Sequence, residues 1–431
     1  MADRLAIEGG TPVRTEPLPL EFPGGHYIDQ DEIDAVTKVL KKRSPFRFYG
    51  LEHPREAELF EAEFAASCGR GHALGVASGT LALSVALSAL GVGPGQEVLV
   101  PGYMWVSVIS AVVRTGAIPV LVDLDDTFSM DPRDLEKRIT KKSTVVMLVH
   151  MSGAPGHLDD ILSVAQSHDL RTISDCSQAN GASFKGEPVG RYGDVATFSF
   201  QLNKNMTAGE GGMIVCDDDT LFKRIFACHD LGYARDASGR LAVDDTDCQL
   251  WGHGCRMSEI TAALCRVQLR KLPVIVEHMH NAKYRIRKEL GAIPGLELRR
   301  IVDPSGDSSS FLICVYPNRD QCLRFIDALG AEGIRTSEKG ITNIPMSDWS
   351  LHLYNKNPSL VNRKSNSPDG FPWTHPLNSE SVYNYEYGAL PVMDDLFSRS
   401  SLLAIPSVLD DGDVADIIRA FQKVADHIKL V

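Results

Sequence analysis

The chain has 431 residues, 43% of them hydrophobic and 23% charged, with a formal net charge of −12. That length accommodates one large core and one smaller one, and the composition is ordinary for a soluble globular protein. The acidic balance excludes a nucleic-acid binder, whose affinity would rest on basic patches.

The N-terminal residues Met1 to Gly10 contain no apolar stretch of the kind an export signal uses. Nine cysteines, none in a C-x-x-C pair, read as reduced thiols of a cytoplasmic protein. Residues 73–96 carry no charge, but Ser78, Gly79, Thr80 and the turn Gly91 to Gly95 interrupt the run. A bilayer needs about 20 continuous apolar residues. No membrane span is therefore expected, and this run is read as a helix buried against a sheet.

From about residue 70 to 217, strand and helix patterns alternate. Strands are predicted at 97–100, 119–123, 145–150 and 171–175, with helices at 106–115, 131–139 and 158–168. Asp131 and Pro132 supply a cap and a first residue for the 131–139 helix. Further strands are predicted at 195–200 and 213–216, and a helix at 220–229. This order implies a mostly parallel α/β layer, and the unbroken apolar run at 145–149 suits a strand buried on both faces. Residues 257–291 read as a long helix interrupted at Pro273. Beyond it, a strand at 310–316 and a helix at 320–329 precede an extended loop region at 355–387, rich in Pro, Asn, Ser and Tyr. An amphipathic helix is expected at 413–428. The expected division is a large domain over 1–275, with an N-terminal arm of about 25 residues, and a small α+β domain over 276–431.

Three segments carry chemistry. Strand 195–200 delivers Lys204 into a loop that enters the turn Gly209-Glu210-Gly211-Gly212. A lysine desolvated at a strand end loses its proton more easily and can form a Schiff base with a carbonyl. Strand 171–175 ends in Asp175, and in α/β sheets ligands sit beyond the carboxyl ends of strands. Ser78, Gly79 and Thr80 open a helix, where free N–H groups and the dipole favour an anion. Phosphate cradle, ring-nitrogen partner and Schiff-base lysine together match what pyridoxal 5'-phosphate requires. No histidines show metal-ligand spacing, so no metal is expected.

With these motifs, and with Val100 to Trp105, Val149 to Gly153, Asp175 to Gln178 and Arg256 to Glu259, the chain resembles the DegT/StrS-type sugar aminotransferases over nearly its whole length. Within that family the 198–212 motif is most similar to glutamine:inosose aminotransferases and amino-hydroxybenzoate synthases. The resemblance implies the fold-type-I architecture of pyridoxal phosphate aminotransferases, with a mostly parallel central sheet flanked by helices. It also implies roles: Lys204 joined to the cofactor, Asp175 on its ring nitrogen, Gln178 near its phenolic oxygen, and Ser199, Gly79 and Thr80 on its phosphate. Trp105 stands where the family's ring-stacking aromatic does, and Met104 stands at a place associated with substrate.

The family usually has Asn two positions before the arginine of Arg256-Met257-Ser258-Glu259, reaching the neighbouring subunit's phosphate. Here that position is Gly254, so the contact is either lost or taken over by the adjacent His253. The implied activity is transfer of an amino group from glutamine or glutamate to a ketone of a cyclic polyol or sugar in secondary metabolism, by a homodimer with shared sites. Competing readings are a dehydratase or ring-aromatising enzyme that keeps the lysine, and a cofactor-binding regulator without turnover. Cys176 is read as a buried packing residue, His150 as a buried histidine ahead of a catalytic one, and Arg47 to Gly50 as either an ordinary loop or part of the site's mouth.

Overall fold

Seven strands form the larger sheet of the computed structural model, which describes residues 4–336, 342–381 and 383–430. They are β1 (His72–Val76), β2 (Glu97–Pro101), β3 (Ile118–Val122), β4 (Ser143–Val149), β5 (Arg171–Asp175), β6 (Val195–Ser199) and β7 (Gly212–Cys216). Their spatial order is β1-β7-β6-β5-β4-β2-β3. The run from β3 to β6 is parallel, and only β7 is reversed, antiparallel to both β1 and β6. The sheet is thus mostly parallel, as the alternating pattern implies. β5 and β6 are adjacent and parallel, so Asp175 and the lysine loop leave the same edge.

The helices of this layer are α1 (Gln30–Lys41), α2 (Glu56–Cys68), α3 (Gly79–Ala89), α4 (Val106–Thr115), α5 (Pro132–Arg138), α6 (Leu158–Ser167), α7 (Asp219–His229) and α8 (Glu259–Leu290). Alternate strand residues serve opposite faces. Val98, Val100, Met147 and Ile214 pack with α3, α4 and α7. Leu99, Val146 and Leu148 pack with α5 and α6, while Ala196, Phe198 and Val215 pack with α2 and α8. α3, the uncharged run, is almost entirely buried. Among the described residues no helix is long and apolar enough to cross a membrane.

α8 corrects one expectation. Pro273 lies inside a continuous 32-residue helix and does not interrupt it. The lost N–H bond is outweighed by burial on both sides of the proline. Ala262, Cys265 and Leu272 join the core under the larger sheet, and Ile275, Met279 and Ile286 join the core under a second sheet.

That second sheet is antiparallel, ordered β8-β9-β11-β10, from β8 (Glu297–Leu298), β9 (Phe311–Val315), β10 (Asn343–Pro345) and β11 (Ser400–Ala404). Helices α9 (Arg319–Ala331) and α12 (Asp411–His427) cover it, with α10 (Pro358–Val361) and α11 (Pro391–Ser398) between. Residues 346–398 return to the larger sheet. Tyr354 N donates to Gly102 O at 3.1 Å, the Tyr385 hydroxyl to Pro119 O at 2.7 Å, and Gly95 N to Asn378 Oδ1 at 2.7 Å. The Asp123 carboxylate accepts from Val392 N and Met393 N at the start of α11, an anion at a helix N-terminus. The described residues of the 355–387 segment, expected as extended loop, are thus mostly irregular but pinned by buried Leu360 and Tyr385.

Candidate active site

Beyond β6 the chain closes on itself. Lys204 N donates to Gln201 O at 3.0 Å, Phe200 N to Gly211 O at 2.9 Å and Ala208 N to Phe200 O at 2.9 Å. Gly209 and Gly211 hold φ of 78° and 153°, a region that favours glycine. The loop is pressed against the start of α3. A Cβ on Gly212 would lie 2.6 Å from Ser78 O, and one on Gly79 would lie 2.7 Å from Ser199 Cβ. Ser78 caps α3, its hydroxyl accepting from Leu81 N at 3.3 Å. The N–H groups of the first turn beside the Ser199 hydroxyl make a small, polar, anion-favouring corner.

Asp175 and Lys204 face the same space from neighbouring strand ends. Asp175 is buried, and one of its oxygens accepts from Ser177 N at 3.0 Å. Burial raises its pKa above the ordinary carboxylate value, opposed by the Ser177 hydrogen bonds and the Lys204 charge. Burial lowers the pKa of Lys204, opposed by Asp175. Gln178 is fixed by Ser152 N, which donates to its Oε1 at 3.0 Å. Ser152 sits in a turn with φ of 60°. Buried Arg299 clamps that turn by donating to Met151 O and Ala154 O, each at 2.9 Å.

Ser78, Gly79, Thr80, Trp105, Asp175, Gln178, Ser199 and Lys204 all line one cavity of about 430 Å³. All eight residues that the sequence assigns to the cofactor are brought together there. Lining residues the sequence did not single out include Glu21, Ser310, Phe311, Trp349 and His352. They arrive from the N-terminal arm and from beyond α8, and no local motif marks them. His150 also lines the cavity, yet its ring is buried, with Nε2 2.7 Å from the Ser174 hydroxyl. Burial pushes its pKa down to about 3. Cys176 is a buried core residue whose thiol pKa is raised by burial.

Three positions fall elsewhere. Met104 is buried in the core and is not among the lining residues. Arg47 is likewise buried and bonded to Glu61 and Gly75 O, away from the cavity. His253 is exposed, with Nε2 3.1 Å from the Ser88 hydroxyl. Ser88 lies ten residues along α3 from Ser78, roughly 15 Å at the helical rise. His253 therefore does not reach its own chain's anion corner. Gly254 has φ of 63° with open space where a side chain would project. That left-handed conformation is one that Gly and Asn both adopt, so the Asn-to-Gly change leaves the turn intact and removes the side chain.

An α/β sheet with one reversed strand, with a lysine and a carboxylate at adjacent strand ends beside a helix N-terminus, is the fold of pyridoxal phosphate aminotransferases. The chain belongs to the DegT/DnrJ/EryC1/StrS aminotransferase family, whose model matches residues 26–354. It is 32% identical over 438 residues to the L-glutamine:2-deoxy-scyllo-inosose aminotransferase of Streptomyces kanamyceticus, covering 99% of this chain and 98% of that one. It is 34% identical to the 3-amino-5-hydroxybenzoate synthase of Amycolatopsis mediterranei (strain S699) over 279 residues, 64% of this chain and 69% of the relative. Among solved structures, S. venezuelae DesV in complex with a ketimine intermediate superposes with a TM-score of 0.77 at 26% identity, covering 97% of this chain and all of that one. The protein is an aminotransferase.

Proposed function

We propose that this aminotransferase binds pyridoxal 5'-phosphate in the cavity and moves an amino group from glutamine or glutamate to a ketone of a cyclic polyol or sugar, in the making of an aminoglycoside-like metabolite. The observation that carries the reading is the convergence of Lys204, Asp175 and the α3 N-terminus on one cavity. The relatives named for glutamine and a scyllo-inosose support the choice of donor and acceptor. The cavity fits the cofactor on its own chemistry. A buried carboxylate that a cationic ring nitrogen would neutralise shares the cavity with a corner that the missing Cβ of Gly79 keeps open for phosphate.

When bound, pyridoxal phosphate supplies an electron sink and a carbon to which amines add. In this proposal the N–H groups of Gly79 and Thr80, with the hydroxyls of Ser78 and Ser199, hold its phosphate. Asp175 pairs with its ring nitrogen, Trp105 lies on its ring face, and Gln178 sits near its phenolic oxygen. Lys204, whose burial leaves more of its amine unprotonated and free to accept a proton, takes the proton from the donor's α-carbon and returns it on the other side of the exchange. A second copy of the chain completes the site. Supporting this, Trp251 is 93% exposed, next to a backbone bond from Leu250 N to Gly232 O that brings it close to exposed Leu231, an apolar surface of the kind that marks an interface.

The test mixes purified holoenzyme with each of the twenty amino acids and follows absorbance at about 400–420 nm, the window expected of this cofactor. Glutamine or glutamate should bleach it, and Lys204→Ala should abolish both the band and the exchange. No bleaching by any amino acid would overturn the reading.

A further inference from the structure

We propose that His352 is a hydrogen-bond acceptor that selects hydroxylated ring ketones as the amino acceptor, an inference resting on the aminotransferase reading above. Residues 349–353 are stitched to the segment that carries Trp105. Met104 N donates to His352 O at 3.1 Å, and Leu353 pairs with Tyr103 as an antiparallel bridge. The imidazole is thereby held with its centroid 4.7 Å from the Trp105 ring and 4.7 Å from that of Trp349. All three side chains line the cavity.

The tautomer is fixed by geometry. His352 Nδ1 lies 3.0 Å from Trp349 O, and a carbonyl only accepts, so Nδ1 carries the ring hydrogen. Nε2 is then a bare lone pair. Among the described residues it has no hydrogen-bond partner, and it is not one of the sealed polar atoms. Burial lowers the pKa of this histidine to about 3, opposed by the Trp349 carbonyl and helped by the Lys204 charge. The ring stays neutral at physiological pH.

A neutral acceptor cannot hold a carboxylate or phosphate, and it rewards a group that brings its own hydrogen. The Trp349 indole, 4.7 Å from the imidazole and also lining the cavity, adds apolar surface for ring C–H groups. An apolar wall with one fixed acceptor suits a polyhydroxylated carbocycle or sugar ring, and a ketone without hydroxyls leaves Nε2 unpaired.

The test titrates holoenzyme calorimetrically with two unreactive probes, scyllo-inositol and cyclohexanone. Wild type should prefer scyllo-inositol, and His352→Phe should cut its affinity about tenfold, as loss of one hydrogen bond implies. His352→Gln, whose amide oxygen can accept, should restore most of that loss, and cyclohexanone should bind all three proteins within about twofold. Unchanged scyllo-inositol affinity in His352→Phe, equal loss of both probes, or no recovery in His352→Gln would overturn the proposal. The wild-type reaction with L-glutamine judges the aminotransferase reading separately, because it involves no change at residue 352.

Discussion

At the scale of single residues, one cause acts on Lys204 and Asp175 with opposite sign. Burial disfavours the charged form of each, so the lysine pKa falls and the carboxyl pKa rises. Each group partly relieves the other, and neither is neutralised by a direct ion pair. Asp175 has a folded pKa raised above its unfolded value, so its neutral form costs nothing below the unfolded pKa. The penalty starts to build as pH rises past the unfolded pKa, where only the unfolded state ionises, and is complete above the raised folded pKa. Asp175→Asn removes that penalty while keeping the side chain's shape. The apoprotein variant should melt above wild type at pH 8 in calorimetry, with the gap narrowing as pH falls toward the ordinary carboxylate range. Turnover of the loaded variant should drop about 10²–10³-fold, as loss of one preorganised electrostatic group does. Coincident melting curves across that pH range would contradict the assigned burial effect.

At the scale of elements, the N-terminus of α3 works because two backbones meet without a side chain between them. A Cβ on Gly79 would sit 2.7 Å from Ser199 Cβ, closer than packed carbons approach. Gly79→Ala must push β6 from α3 and open the anion corner. Loss of one or more bonds to a charged ligand amounts to about 10–100-fold in affinity, read as cofactor remaining after dialysis. Pro273 in α8 is the opposite case, a local defect that tertiary packing tolerates. Pro273→Ala restores the N–H bond to Leu269 O and should stabilise the fold by about 1–3 kcal/mol in denaturant titration.

These two positions also mark what was legible in sequence. α4 and β5 begin and end where the pattern places them, because each has an apolar run with a clear stop. Lys204, Asp175 and Ser78 to Thr80 were readable because each sits at a strand end or helix start, where local pattern and chemistry coincide. Pro273 was misjudged because a proline's local cost is visible in sequence while the two cores that α8 joins are not. His352 and Trp349 reach the cavity only through the pairing of Leu353 with Tyr103, a contact across 250 residues that no window of sequence contains.

At the scale of the whole molecule, Lys204 is the only lysine or arginine among the described residues lining the cavity, so those residues of one chain offer little to hold a donor's carboxylate. The exposed turn at Gly254 and the bare indole of Trp251 point outward from the same connection between α7 and α8. Leu250 N donates to Gly232 O at 2.8 Å, which holds Trp251 close to exposed Leu231. The loop carrying Tyr49 packs nearby, with Phe48 under the Arg235 guanidinium at 4.0 Å. A tryptophan so exposed is the kind of side chain that dominates an interface, where truncation costs about 2 kcal/mol or more. Light scattering should therefore give wild type twice the mass of one chain. Trp251→Asp should raise the dissociation constant of the pair at least about 30-fold, and dilution should then reduce activity with protein concentration. A variant that stays paired and fully active at nanomolar concentration would move the interface to another face of the molecule.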